Sequence, residues 1–195
     1  VSSGTKTDNA FLSSKLALRR HFLKKYHADA RPYVLDCCMG NGVIWSELRQ
    51  EFGFDYWGVD VKPKKGRLKI DSVRILAQPG WPQDVIDCDT YGSPWKHWHA
   101  LLPNVVKPTT VFLTTGLVRM GGGNCDAKII EALGLQSLKH LPSSLAVKVS
   151  DLGIMRILTA ATRHGLELVE AAEAPRGPNA RYIGVHLRPL KSPAA

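Results

Sequence analysis

Apolar residues keep a helical period over the first ordered stretch of the chain. Phe11, Leu12, Leu16, Leu18, Phe22, Leu23 and Tyr26 fall on one broad face at ~100° per residue, which predicts a helix over 11–26. Lys15 and Arg19 fall on that same face. Either their stems lie along the edge of the core with their heads in water, or they point into a site that needs positive charge. Beyond this helix, short apolar runs bounded by turn residues alternate with helically spaced segments. The runs 33–36, 56–60, 68–71, 85–89, 110–115, 166–172 and 181–187 predict seven strands. Helices are expected over 43–52, stopped by Gly53, and over 72–78, with Ser72 as its cap. Two more are expected, one from Ser93-Pro94 through Trp95, Trp98 and Leu102, the other from Ser150 to Gly165. The stretch 121–142 reads as irregular with one short helix.

Strands that alternate with helices make a parallel sheet covered on both faces. The loop between the sixth and seventh runs is too short for a parallel crossover, so one of those two strands is expected to run antiparallel. The predicted fold class is therefore α/β, Rossmann-like, with a seven-stranded, mostly parallel sheet and one reversed strand. At 195 residues the chain is expected to form one domain, with 1–30 as a tail and helix packed on a body of 31–195.

Composition narrows the function classes. With 44% apolar and 22% charged residues the chain reads as a soluble globule, not a coiled coil or a collagen-like repeat. No window approaches the ~20 apolar residues of a membrane span. The charge of +9 fits a polyanionic partner such as nucleic acid. Lys15, Arg19, Arg20, Lys24 and Lys25 crowd the first helix, and Lys62, Lys64, Lys65 and Arg67 crowd one loop. These two groups are expected to form one basic rim. The cysteines include no Cys-x-x-Cys pair, and His97 and His99 have no suitably spaced third ligand, so no metal site is expected. Small buried thiols suit a reducing cytoplasm, and the first six residues carry no apolar signal core.

Candidate chemistry gathers at the ends of the predicted strands. Asp36 closes the first strand, and Gly40 and Gly42 then bracket Asn41. Glycine lets a backbone turn tightly and approach a ligand. Trp45 stands where a dinucleotide-binding turn has its third glycine, which opposes that reading. Asp60 closes the second strand, where a carboxylate can accept ribose hydroxyls. Asp71 closes the third, and a helix cap would also favour an acid there. In an open α/β sheet such strand ends line one crevice.

The Asp36-x-x-x-Gly40-x-Gly42 pattern resembles motif I of class I S-adenosylmethionine (SAM) methyltransferases, as does the seven-stranded arrangement. Asp71 resembles the acid that contacts the adenine amino group in that superfamily. Asp87-Cys88-Asp89-Thr90-Tyr91-Gly92-Ser93-Pro94 resembles the Asp-x-Asp-Pro-Phe/Tyr-Gly-Ser-Pro motif of the tRNA guanine dimethyltransferase family, which methylates an exocyclic amine. Thr90 departs from that family's Pro, whose ring would fix φ. The resemblance covers 36–94. It implies SAM as cofactor, held by Asp36, Gly40, Gly42, Asp60 and Asp71, and catalysis by Asp89, Thr90 and Tyr91.

Those residue types suit the chemistry. An exocyclic amine is a poor nucleophile because its lone pair is delocalised into the ring. Acceptors on its two protons, Asp89 Oδ and the Thr90 carbonyl, would localise that pair, while Tyr91 stacks on the base and fixes the in-line geometry. Lys15, Arg19, Lys64, Lys65 and Trp95 are the candidate substrate contacts, Trp95 and Trp98 being either helix core or a base platform. The expected substrate is a nucleic-acid base, RNA before DNA. A small-molecule or protein methyltransferase is one alternative, and a non-catalytic protein of the same fold that binds nucleic acid or a partner is another.

Overall fold

The computed structural model describes residues 11–62, 69–90, 92–116, 119–120, 123–124, 127–137, 142–174 and 180–190. Strands β1 (Tyr33–Asp36), β2 (Asp55–Gly58), β3 (Val85–Cys88) and β4 (Thr109–Gly116) run parallel to one another. Two short strands, β5 (Arg119–Met120) and β6 (Gly123–Asn124), form a separate ribbon. The chain returns to the main sheet with β7 (Leu166–Glu173) and β8 (Ala180–Pro189), giving the order β2-β1-β3-β4-β8-β7. β8 is antiparallel to both β4 and β7, so it is the reversed strand that the short connection requires.

The main sheet has six strands among the described residues. The run expected over 68–71 does not extend it. Leu68 lies outside the described residues, and the Ile70 amide donates to the Asp60 carbonyl at 3.0 Å without a ladder following. Asp71 then turns the chain into a helix.

Alternation along the strands divides the core into two layers. Leu35, Ile86, Val111, Leu113, Ile183 and Val185 face one way. They meet helices α3 (Ser72–Leu76), α4 (Trp95–Leu101), α5 (Ala127–Ala132) and α6 (Ser143–Thr159). Val34, Val85, Phe112 and Tyr182, one residue out of phase, face α1 (Leu12–Tyr26) and α2 (Val43–Leu48). Helices therefore cover both faces, as the period-2 pattern demands. α1 lies close on β8 because Gly184 leaves room: a Cβ there would meet Phe22 at 2.4 Å.

Three helix boundaries differ from expectation. α2 ends at Leu48, and 49–51 continue as turns. The cap of α3 is Asp71, whose carboxylate accepts the Val73 amide at 3.0 Å; Ser72 is already helical. α6 begins after Pro142, well before Ser150, which is buried mid-helix where its hydroxyl accepts from Arg181 Nη1. Gly165, at φ 68°, closes this segment in the left-handed conformation as expected. Among the described residues no helix is long and apolar enough to cross a membrane.

Candidate active site

The glycine turn follows directly from β1. The Cys37 amide donates to Asp87 O, and the Met39 amide to Val59 O, so backbone pairing continues past the strand ends. Gly40 and Gly42 then take φ of 49° and 70°, a region that L side chains rarely adopt. Asp60 latches the turn: its Oδ2 accepts the Gly40 amide at 3.1 Å and its Oδ1 the Lys62 amide at 2.7 Å. Asp36 lies beneath, buried, accepting from the Cys38 amide at 3.2 Å and the Tyr56 hydroxyl at 2.9 Å. Burial, and then the charge of Asp87, push its carboxyl up to about 8. The half-buried Cys38 thiol is also pushed up, first by burial and then by Cys37, Asp36, Asp60 and Asp89.

The end of β3 places two carboxylates under α1, Asp87 within the strand and Asp89 just past it. Arg19 meets Asp87 with two parallel bonds, Nε to Oδ2 and Nη2 to Oδ1, each 2.7 Å. Its third nitrogen, Nη1, donates to Lys15 O at 3.0 Å, and Trp45 Nε1 donates to Asp87 Oδ2 at 2.8 Å. Both members of this pair are 1% exposed. Despite burial, Asp87 holds the Arg19 guanidinium above its ordinary range, with smaller help from Asp89 and Asp36. One turn earlier, Lys15 Nζ donates to Asp89 Oδ2 at 2.7 Å. Burial would raise the Asp89 carboxyl, but the charges of Arg19 and Lys15, with hydrogen bonds from Lys15 and Thr114, hold it below its ordinary range. Asp89 is thus ionised, and its side chain keeps 18% exposure.

The matching of these pairs is geometric. Four helix residues rise about 6 Å, and two strand residues about 6.6 Å. Cations four apart on α1 therefore fall opposite carboxylates two apart on the extended chain. Thr90 is buried, its amide donating to Cys88 O at 2.8 Å and its hydroxyl to Thr114 O at 3.4 Å. The Gly116 amide reaches Gly92 O at 2.5 Å, so the segment after β3 is tied to the end of β4 at two points.

No protein-family model and no curated protein sequence matches the chain. Solved structures do. Trm1 from Pyrococcus horikoshii, in complex with S-adenosyl-L-methionine, aligns with a TM-score of 0.65 at 17% identity, over 92% of this chain and 55% of that one. TYW2 from the same organism, in complex with MeSAdo, gives 0.57 at 11% identity over 98% and 67%. The plantazolicin methyltransferase BamL, in complex with a triazolic desmethylPZN analog and SAH, gives 0.51 at 13% identity over 91% and 84%. The chain has the Rossmann-like fold of these structures. Identities this low carry the fold alone, and the chain spans 55% of the Trm1 chain.

Within this fold the C-terminal edge of β1–β4 gathers Asp36, Gly40, Gly42, Asp60, Asp89 and Thr90. Asp71 caps α3 and is exposed. Lys64, Lys65 and Tyr91 lie outside the described residues. Two expectations are corrected. Lys15 and Arg19 do not form a phosphate-binding rim, because both are buried and committed to Asp89 and Asp87. Their heads turn inward instead of snorkelling to water. Trp95 is not a base platform: it is fully buried in the core, as is Trp98, whose Nε1 donates to Ile157 O at 3.0 Å. Two residues went unassigned by sequence reasoning, Asp87 and Trp45. The signals were an acid inside the apolar run 85–88 and a Trp at a helix start where a small residue was expected.

Proposed function

We propose that the chain is a SAM-dependent methyltransferase whose acceptor is an exocyclic amino group of a nucleic-acid base, RNA before DNA. One observation carries the reading: a left-handed glycine turn latched by Asp60 shares a strand edge with an ionised, partly exposed Asp89. The fold of proteins solved with SAM, SAH or MeSAdo supports the cofactor. So does the fit of the residues. Asp60 accepts one backbone amide on each oxygen, which leaves lone pairs for two ribose hydroxyls. The Asp60 and Asp89 carboxylates, both close enough to Cys38 to raise its thiol, suit a sulfonium cation. Gly40 and Gly42 would let the backbone approach the cofactor, with Asp36 holding the turn from below and Asp71 at the adenine end.

SAM, when bound, supplies a methyl group activated by its sulfonium. The chain's own part is to orient the acceptor. Asp89 has one oxygen on Lys15 and can take an amine N–H on its remaining acceptor positions. The Thr90 carbonyl would take the other N–H, and Tyr91 would stack on the base. A carboxylate held below its ordinary range is a weak base, so its role is alignment of the lone pair rather than proton removal. The free thiols of Cys37, Cys38 and Cys88 support a reducing compartment, the cytoplasm.

The test is incubation with methyl-labelled SAM and mixed RNA or DNA, then mass spectrometry of the nucleosides. An N-methylated base is expected. Asp89→Asn keeps an acceptor for Lys15 and should slow transfer on the order of 10²-fold, with S-adenosylhomocysteine affinity retained. Asp60→Ala should instead weaken that affinity by ~1.5–3 kcal/mol. Full transfer by Asp89→Asn would remove the amine-orienting role.

A further inference from the structure

The formal charge of +9 predicts a basic face, but α1 does not supply it. Of its five cations, Lys15, Arg19, Arg20 and Lys25 are each salt-bridged to an acid, and Lys24 alone makes no salt bridge among the described residues. Across the crevice the balance is reversed. Lys62 and Lys69 follow β2, Arg74 stands in α3, and Lys96 stands in the first turn of α4. All four are exposed, and none makes an ion pair among the described residues. The acids among them, Asp60 and Asp71, accept backbone amides of the turn and of α3.

Topology brings these cations to the crevice. α3 and α4 both start where the chain leaves the C-terminal edge of the parallel strands, the edge that carries the glycine turn and Asp89. Their starts are joined: the Ser72 hydroxyl donates to Cys37 O at 3.0 Å and lies 2.9 Å from His97 Nε2. Ser72 has one proton, so His97 Nε2–H donates to it. Burial holds that imidazole below its ordinary range, and so neutral. Lys69, Arg74 and Lys96 thus flank one rigid junction, on the opposite sheet face from α1.

We infer that the α3–α4 rim, through Lys69, Arg74 and Lys96 with Lys62 beside them, carries the phosphodiester backbone of a single-stranded nucleic acid past the crevice. This rests on the nucleic-acid reading above and replaces α1 as its phosphate-binding surface. Unpaired, exposed cations are the groups that release counterions on binding, whereas cations already neutralised by carboxylates are not.

Fluorescence anisotropy with a generic single-stranded RNA and its DNA counterpart, between about 50 and 200 mM salt, tests it. With roughly three contacts, wild-type affinity should fall ~20-fold over that range. K69E/R74E/K96E should weaken binding at low salt at least tenfold and flatten the log–log slope by about two, at ~0.7 per contact. The neutral K69Q/R74Q/K96Q should flatten it similarly. K24E/R156E/R163E makes the same change of charge at exposed sites toward the opposite strand edge, and should leave the slope near wild type. S-adenosylhomocysteine affinity, measured on each variant, reports an intact fold and the cofactor reading separately. Equal effects of the two charge-reversal triples would overturn this surface and leave a nucleic-acid substrate in place. Absence of oligonucleotide binding by wild type at low salt would overturn the surface and the nucleic-acid substrate together, with the methyltransferase reading judged by cofactor binding alone.

Discussion

The two ends of α1 meet the sheet by different physics. At the crevice end, Lys15 and Arg19 reach Asp89 and Asp87, and the Arg19–Asp87 pair is 1% exposed on both sides. At the other end His21, Lys25 and the Tyr26 hydroxyl converge on Glu170, with His21 48% and Lys25 53% exposed. Just beyond, His27 and His186 share the Thr110 hydroxyl, and His186 stacks on Tyr26 at 3.7 Å. The buried seam bonds every Arg19 nitrogen: two parallel bonds go to Asp87, which also accepts from Trp45, and Arg19 Nη1 donates to a carbonyl. Removing one member strands a charge in a low dielectric, so the seam is brittle. The far clamp is partly wet. Its members can turn to water, and it responds to salt and pH instead.

The largest expected effect follows from that brittleness. Arg19→Met should cost about 3–5 kcal/mol in urea unfolding, because Asp87 is left uncompensated. Arg19→Met combined with Asp87→Leu should recover much of the loss. A single variant costing under about 1 kcal/mol would mean that water reaches Asp87 and that the two ends are alike.

The next contrast is in pH. Burial, then the nearby His27, hold His186 down to about 4, below the ordinary 6.5. Its neutral form is therefore favoured by folding. That contribution is complete above about pH 6.5 and is lost as pH falls towards 4. His27 moves in the same direction, chiefly through burial. Asp89, held below 3.8, loses its contribution only at lower pH. The melting temperature should thus fall from pH 7 to pH 4, and His186→Gln should flatten part of that fall. An unchanged slope in the variant would place the titrating group elsewhere.

The smallest effect concerns Arg20 and Glu51, 35% and 40% exposed. Arg20→Ala should cost less than about 1 kcal/mol, and less still at high salt, in the same unfolding assay. A loss comparable with that of Arg19→Met would erase the distinction between buried and exposed pairs on one helix.

Much of the fold is legible in local pattern. Val34 against Leu35, Val85 against Ile86, and Tyr182 against Ile183 alternate in the sequence and separate into the two core layers. The glycine turn was equally plain, since Gly40 and Gly42 are the residues that take positive φ there. The expected third strand and the start of α6 were not. A strand needs a partner ladder, and among the described residues Ile70 finds one backbone bond, to Asp60. A serine is a cap only where the chain enters a helix, and Ser150 lies inside one, bonded to Arg181.

Period, turn chemistry and the order of strand and helix are properties of near neighbours, and the sequence by itself determined them. With them came the parallel sheet, its reversed strand, and the edge where Asp36, Gly40, Gly42, Asp60 and Asp89 collect. The partner of a charge is not such a property. Arg19 and Asp87 are 68 residues apart in the chain, and Lys15 and Asp89 are 74 apart. Whether a lysine serves as a surface cation or an internal counter-ion depends on which strand passes beneath it. Folding alone decided that Lys15 and Arg19 of α1 turn inward to the carboxylates at the end of β3, while the cations of α3 and α4 stay in water, because it desolvates one set and leaves the other solvated.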